Sequence, residues 1–172
     1  SRTGCRRVRC RAHRAGCRFA NSCFGISVEE KRPLVIAGAG GFPKDLNLYQ
    51  SAKGLLNAME VVAEGGTVIF VAECREGIGA EDYFALAAIN QTQQEKEDLL
   101  RRKFSIARYI GYLNSLWANQ ATIKLVSKLP KDQVQAMGME PYASLEEAMA
   151  EVDARALKNC WLIPRGADIA II

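Results

Sequence analysis

One short stretch, GAGGFPKDLNLYQSAK at residues 38–53, joins a glycine-rich turn to a tyrosine, a glutamine and a lysine. Tyr49, Gln50 and Lys53 are spaced three and four residues apart, so a helix would place them on one face, together with Asn57. A lysine one turn into a helix lies near the positive amino end, where anions bind. The amide and the phenol add neutral hydrogen-bond partners. This combination favours a small hydroxy- or keto-acid carboxylate, and an ordinary solvated helix face is the alternative.

The elements on either side must position these three side chains. LVIA at 34–37 is a short continuous apolar run before the glycines, which is typical of a buried parallel strand. Asp45 is a suitable N-cap for a helix over 46–62. A second strand, TVIFVAEC at 67–74, follows the glycine pair that ends the helix. The residues predicted to form the buried stripe of this helix are Leu48, Ala52, Leu55, Leu56, Met59 and Val62.

The rest of the chain continues the alternation of strands and helices. We predict helices over 81–89, 92–117, 131–138 and 144–157, and strands over 121–129 and 159–164. The predicted apolar stripe of the helix over 92–117 is Leu99, Leu100, Phe104, Ala107 and Ile110. This order predicts an α/β fold: a three-layer, Rossmann-like parallel sheet with helices on both faces. Ligands of such sheets bind outside the carboxyl ends of the strands, so the loops after the first two strands should lie side by side at the site.

Two nucleotide-binding motifs can be compared with the glycine turn. A dinucleotide fingerprint requires G-x-G-x-x-G, and here Gly38 and Gly40 fit while Pro43 stands at the sixth position. Glu73 lies only near the position of a ribose-binding acid. A P-loop is excluded because no G-K-[ST] follows the glycines. An NAD-dependent oxidoreductase domain therefore stays open only as a disfavoured alternative.

The net charge of +4 comes from one end of the chain, where seven arginines lie within the first eighteen residues. We predict a basic, disordered arm over 1–11 and a domain over 12–172 that begins with a helix over 12–24. Because the charge belongs to an arm and not to a face of the domain, we expect no nucleic-acid binding. No apolar run is long enough to span a membrane, so we expect a cytoplasmic protein with reduced cysteines. A zinc site is disfavoured because the early cysteines lack C-x2-C spacing.

Two longer motifs carry a resemblance to a known family. GGFPKDLNLYQSAK, followed by GGTVIFVAECREGIG, resembles the C-terminal domain of the lactate racemase family, whose members use a nickel-pincer nucleotide. AHRAGCRFANSCFG is similar to the helix that precedes this domain in the family. The resemblance covers about residues 12–164. It implies a cleft shared with an N-terminal domain that supplies the acid–base histidines and the ligands of the cofactor.

The resemblance also implies roles for particular residues. Lys53 would pair with the carboxylate of the 2-hydroxy acid substrate, and Gln50 would hydrogen-bond to it. The residues expected to line or shape the cofactor cleft are Tyr49, Gly40, Gly41, Pro43, Asp45, Glu73, Arg75, Glu76 and Gly77. Some family members carry a tryptophan near the substrate; here Phe104 stands near the expected place, and Trp117 stands later than expected.

The family's reaction removes a hydride from the carbon that bears the hydroxyl group and returns it to the opposite face. The single histidine of this chain, His13, matches none of the family's motifs. The resemblance therefore implies the substrate-side domain of a nickel-pincer nucleotide-dependent racemase or epimerase, without catalytic or metal-binding residues of its own and inactive alone. A non-catalytic carboxylate-binding module is the other alternative.

Overall fold

The computed structural model describes the backbone of residues 2–172 and the side chains of residues 10–172. The described strands are β1 (Gly25–Ile26), β2 (Arg32–Gly38), β3 (Val62–Val71), β4 (Thr122–Val126), β5 (Glu140–Tyr142), β6 (Cys160–Ile163) and β7 (Ala170–Ile171). The described helices are α1 (Arg2–Phe24), α2 (Leu48–Val61), α3 (Glu81–Ala88), α4 (Gln93–Arg102), α5 (Ile106–Gln120), α6 (Lys131–Ala136), α7 (Leu145–Ala150) and α8 (Ala154–Leu157).

Five of the strands form one parallel sheet in the order β5-β4-β3-β2-β6, and β1 pairs with β7 beside it. From β2 to β5 the chain moves steadily toward one edge, and it then returns to place β6 beside β2. Since parallel crossovers are right-handed, the connections in these two directions lie on opposite faces of the sheet. The predicted α/β fold, with a parallel sheet and helices on both faces, is confirmed.

The two faces of the sheet bury separate apolar clusters. The larger cluster joins Val35, Val68 and Leu125 of the sheet to residues of α2, α3, α5 and α6. The smaller cluster packs Leu34 and Ile69 beneath α7, with side chains of α8 at its margin. Alternate residues of β2 and β3 therefore point into different layers, as the two-residue period of a strand requires.

Helix α2 holds the three side chains of the candidate site, and one of its faces packs on the sheet. Its N-cap is Asn47, two residues after the predicted Asp45, and the Asn47 side chain accepts a hydrogen bond from the Gln50 N–H. Leu55 is fully buried, whereas Leu56 is 38% exposed. The prediction that Leu56 belongs to the core is therefore wrong, because Leu56 lies at the margin of the buried face, where α2 faces α5 across an open groove.

The helix predicted over 92–117 is two helices, α4 and α5. Thr92 and Glu95 form a capping box at the start of α4, and Ser105 caps α5 by accepting from the Arg108 N–H. The break between the two helices leaves Phe104 68% exposed, so its predicted place in an apolar stripe is wrong. The turn lets α5 pack closely on α3.

The first helix differs from its prediction in length. The helix expected over 12–24 begins at Arg2, so the structure continues α1 through the segment predicted to be a disordered arm. The division of the chain at residue 11 stays a prediction. All side chains of residues 10–24 are exposed, so this described part of α1 adds nothing to the two cores. Among the described residues, no helix is both long and apolar enough to cross a membrane.

Candidate functional site

Two loops meet at the carboxyl edge of the sheet, as the sequence predicted. Residues 39–47 follow β2 and residues 72–80 follow β3. The Cys74 N–H donates to the Asp45 carbonyl oxygen at 2.9 Å, and the Glu76 N–H donates to the Leu46 carbonyl oxygen at 2.9 Å. The Asp45 carboxylate also accepts from the Glu73 N–H at 3.4 Å. These bonds between the two backbones fix the loops as one unit under the amino end of α2.

The amino end of α2 has no free N–H group in its first turn. The N–H groups of Leu48 and Tyr49 donate to carbonyl oxygens of the second loop, Gly77 at 3.1 Å and Ile78 at 3.0 Å. The Gln50 N–H donates to the Asn47 side chain at 2.9 Å. The expected anion site on the helix terminus is therefore wrong, because the protein itself satisfies these donors. Any anion held by α2 must be bound by its side chains.

Tyr49, Gln50 and Lys53 lie together in a groove of about 200 Å³ between α2 and α5. Tyr49 is half-buried, whereas Gln50 and Lys53 are exposed. Lys53 forms no ion pair among residues 10–172. The other residues that line the groove are Ala52, Leu56, Ile106, Ile110 and Trp117. The groove thus places one cation and one amide beside an apolar wall.

Trp117 is the groove residue that sequence reasoning placed elsewhere. Ile106, Ile110 and Trp117 recur at helical spacing along α5 and face α2, while Phe104 lies before α5 and outside the groove. Once α5 is known to begin at Ile106, the spacing of four and seven residues places Trp117 on this face. The missing signal was the Ser105 cap, which sets the start of the helix.

Buried aromatic and polar groups support the groove from below. The Tyr49 ring lies 6.1 Å from the ring of Tyr83, which is fully buried. The Tyr83 hydroxyl donates to the Asn114 side-chain oxygen at 3.0 Å, and the Asn114 amide donates to the Met137 carbonyl oxygen at 3.1 Å. Burial raises the pKa of Tyr83 above its ordinary value, so this hydroxyl stays protonated and keeps donating. Tyr49 therefore packs against a Tyr83 ring whose own position is fixed by hydrogen bonds within the core.

A charged cluster lies at the carboxyl ends of β3 and β4. Glu73 pairs with Lys128 at 2.6 Å and with Arg75 at 2.7 Å. Hydrogen bonds from Lys128 and Arg75 lower the pKa of Glu73 to about 2. The Arg75 guanidinium also lies 5.5 Å from the centre of the exposed Phe42 ring. Glu73 is therefore a fixed anion that holds Arg75 at the surface of the second loop.

The remaining predicted residues shape the loops and do not line the groove. Gly40 and Gly41 have φ values of +106° and +76°, which side chains rarely adopt, so the turn after β2 requires glycine there. Pro43 is exposed beside them. Gly77 has φ +76° and presents the carbonyl oxygen that caps α2, while Glu76 is exposed. Their predicted contact with a cofactor stays a prediction.

Asn57, which was predicted on the same face of α2, has a structural partner. Its amide donates to the carbonyl oxygens of Gly166 at 2.8 Å and Ile169 at 2.9 Å. This bond holds a strap, residues 164–169, against the carboxyl end of β2. A Cβ added to Gly38 would lie 2.7 Å from the Pro164 carbonyl oxygen. A dinucleotide would need this space between β2 and β6, so the strap disfavours the NAD-dependent alternative.

The described part of the chain has no set of residues that could hold a metal ion. Among those residues, no group of three or more histidine, cysteine or acidic side chains has suitable geometry. His13 lies on the exposed helix α1 with Cys17 nearby, and no acid joins them. The side chain of Cys5, which belonged to the disfavoured zinc alternative, lies outside the described residues.

Comparison with known proteins identifies a family and several relatives. The family model described as the lactate racemase C-terminal domain matches residues 28–171. A lactate racemase of Thermoanaerobacterium thermosaccharolyticum is 26% identical over 171 residues, covering 94% of this chain and 39% of the relative. A lactate racemase of Lactiplantibacillus plantarum is 30% identical over 172 residues, covering 93% of this chain and 39% of the relative. The chain thus spans about two fifths of the length of these curated relatives.

Solved structures give the same assignment of fold. The lactate racemase apoprotein of Thermoanaerobacterium thermosaccharolyticum aligns with a TM-score of 0.80 at 25% identity, covering 94% of this chain and 40% of that structure. A protein from Thermotoga maritima aligns with a TM-score of 0.62 at 11% identity, covering 94% of this chain and 42% of that structure. The second likeness concerns the fold alone.

Proposed function

Because the chain belongs to the lactate racemase C-terminal domain family, we propose that it is the substrate-side domain of a nickel-pincer nucleotide-dependent racemase or epimerase of 2-hydroxy acids. The observation that carries the proposal is the groove between α2 and α5, in which Lys53 and Gln50 stand beside an apolar wall. The relatives are more than twice as long as this chain. The activity would therefore belong to a longer protein in which a second domain closes over the groove.

The groove has the chemistry that a small 2-hydroxy acid requires. The Lys53 ammonium would pair with the carboxylate, since no acid of the described chain already neutralises it. The Gln50 amide can donate to the same carboxylate or accept from the hydroxyl group. Ile110 and Trp117 would pack on the alkyl part of the acid and exclude water, which strengthens the ion pair. A volume of about 200 Å³ suits an acid of a few carbon atoms.

The chain would contribute binding and orientation and not the proton or hydride transfer. His13 lies on an exposed helix away from the groove, and the described residues hold no metal site. The cofactor and the acid–base groups would come from the other domain, so we expect the isolated chain to be inactive. In the isolated chain the exposed Lys53 would bind a carboxylate weakly, because water screens the pair. Closure of the second domain would remove that water and complete the site.

The test is racemisation of D-lactate by the chain joined to its natural upstream half and loaded with the cofactor. Lys53→Ala should lower kcat/KM by about ten- to a hundredfold, the range expected for losing one charge-assisted hydrogen bond. Lys158→Ala is the matched control, since Lys158 is an exposed lysine beside α8 on the opposite face of the sheet. Equal kinetics of the Lys53 variant and the control would remove Lys53 from the site.

Two further outcomes separate the alternatives. Turnover by the 172-residue chain alone would refute the proposed division of labour between domains. Saturable lactate binding without turnover, in a joined protein that holds the cofactor, would favour a carboxylate-binding module. Absence of both binding and turnover with lactate, again with the cofactor bound, would direct the search to other 2-hydroxy acids.

A further inference from the structure

A second cavity, of about 520 Å³, lies on the side of α5 that faces away from the candidate groove. Its walls are the last turn of α3, the loop over 89–92, the first turn of α4, the end of α6 and three residues of α5, namely Ser115, Ala118 and Asn119. Around α5, Ser115 and Asn119 lie about 140° and about 180° from Ile110, and Ala118 lies about 80° from it, since each residue turns by about 100°. The cavity is therefore separate from the groove that the proposed function uses.

Among the side chains of residues 10–172, Lys96 is the only charged one that lines this cavity. It is 7% exposed, and its ammonium donates to the Ala87 carbonyl oxygen at 3.3 Å. Burial lowers the pKa of Lys96, and no carboxylate of the described chain compensates. Burying an ammonium costs free energy, and one carbonyl partner offsets only a small part of it. The other N–H donors of the ammonium remain available to a ligand. The site therefore gains free energy if a negative charge enters it.

The neutral polar side chains of the cavity complete a binding surface. Gln93 and Ser115 hold each other, because the Gln93 amide donates to the Ser115 carbonyl oxygen at 2.9 Å and the Ser115 hydroxyl donates to the Gln93 oxygen at 3.1 Å. The cavity is also lined by Thr92, Asn119 and Gln135. No aspartate or glutamate of the described chain lines it, so a ligand with one negative charge would match the one positive charge.

We propose that this cavity binds a small organic carboxylate, with the carboxylate on Lys96 and the amide side chains around it. The cavity is formed before the ligand enters, since the Asn114 amide anchors the Met137 carbonyl oxygen and thereby joins α5 to the end of α6. The ligand would therefore cause little rearrangement of the backbone. The ligand's carboxylate would accept hydrogen bonds from the Lys96 ammonium, which otherwise donates only to the Ala87 carbonyl oxygen among the described residues.

The test uses the 172-residue chain labelled for NMR, with sodium acetate as the probe and acetamide as its neutral counterpart at constant ionic strength. Acetate should shift the amides of residues 87–93 and of Ser115, Ala118 and Asn119 in a saturable manner, and acetamide should not. Lys96→Met should weaken this effect about tenfold or more, as expected when a charged partner is lost. Lys53→Met is the matched control, because it removes a lysine from the other groove, and it should leave these shifts unchanged.

A measurement on the unmodified chain keeps the test decisive if the Lys96 variant does not fold. The Lys96 side-chain resonance should report a pKa that rises as acetate is added, because a bound anion stabilises the ammonium. Two results would overturn the proposal: a Lys96 pKa that does not respond to acetate, or shifts that persist in Lys96→Met. Either would mean that Lys96 serves only to bind the last turn of α3.

Discussion

Replacing Leu55 with alanine removes every side-chain carbon beyond Cβ at one buried position of α2, and the same replacement at its neighbour Leu56 is the internal control. Leu55 is fully buried against the sheet, whereas Leu56 is 38% exposed in the groove. A buried leucine replaced by alanine costs about 2–5 kcal/mol, because a cavity remains. Since Leu55 has no exposed surface, Leu55→Ala should fall in the middle of that range. Leu56→Ala should lower the free energy of unfolding by no more than about 1 kcal/mol.

The assay is urea unfolding followed by circular dichroism, with thermal unfolding alongside. A loss of about 3 kcal/mol corresponds to a fall in Tm of roughly 6–12 °C for a chain of this size. Leu56→Ala should leave Tm nearly unchanged and should instead alter lactate kinetics in the joined protein. A Leu56 variant that loses as much stability as the Leu55 variant would mean that the two faces of α2 have been reversed.

Two other predictions concern the support of the site. Gly111→Ala should lower the free energy of unfolding by about 1–3 kcal/mol in the same assay, because the new Cβ would clash with a carbonyl oxygen of α3. Gly16→Ala is the control, since a Cβ at this exposed position of α1 meets nothing within 4 Å and should not destabilise the protein. Glu73 has a folded-state pKa of about 2, below its ordinary value of 4.5, so its pairs with Lys128 and Arg75 add stability above pH 4.5 that is lost as pH falls toward 2. Glu73→Gln should therefore flatten that acid-side loss of stability; an unchanged slope would contradict the pairing.

The sequence predicted those elements whose signals are local and strong. LVIA at 34–37 lies inside β2, and the helix expected over 46–62 is α2 with ends shifted by one or two residues. The strand is a continuous apolar run, the helix has a clear apolar period, and glycine marks a boundary of each, which is why local reasoning was sufficient. The grouping of Tyr49, Gln50 and Lys53 followed from the same helical spacing.

The features that the sequence missed depend on contacts between distant segments. β5 is only three residues long and contains Pro141, so no period could identify it, and it forms solely by pairing with β4 at the edge of the sheet. The strap over 164–169 is likewise held by Asn57, more than a hundred residues away. Predicting the groove required knowing that α5 begins after the Ser105 cap. The apolar residues over 92–117 instead suggested a single long helix.

The hydrogen bonds at the start of α2 decide how this domain can recognise an acid. A glycine-rich turn before a helix usually leaves backbone N–H groups free for phosphate, but Gly77 and Ile78 have already accepted the bonds of Leu48 and Tyr49. Under the proposed function, recognition would therefore fall to Lys53 and its neighbours one turn further along α2. An exposed ammonium holds a carboxylate weakly until water is removed. Affinity should therefore depend on the covering domain, and Lys53→Ala should affect lactate binding by the joined protein far more than binding by the isolated chain.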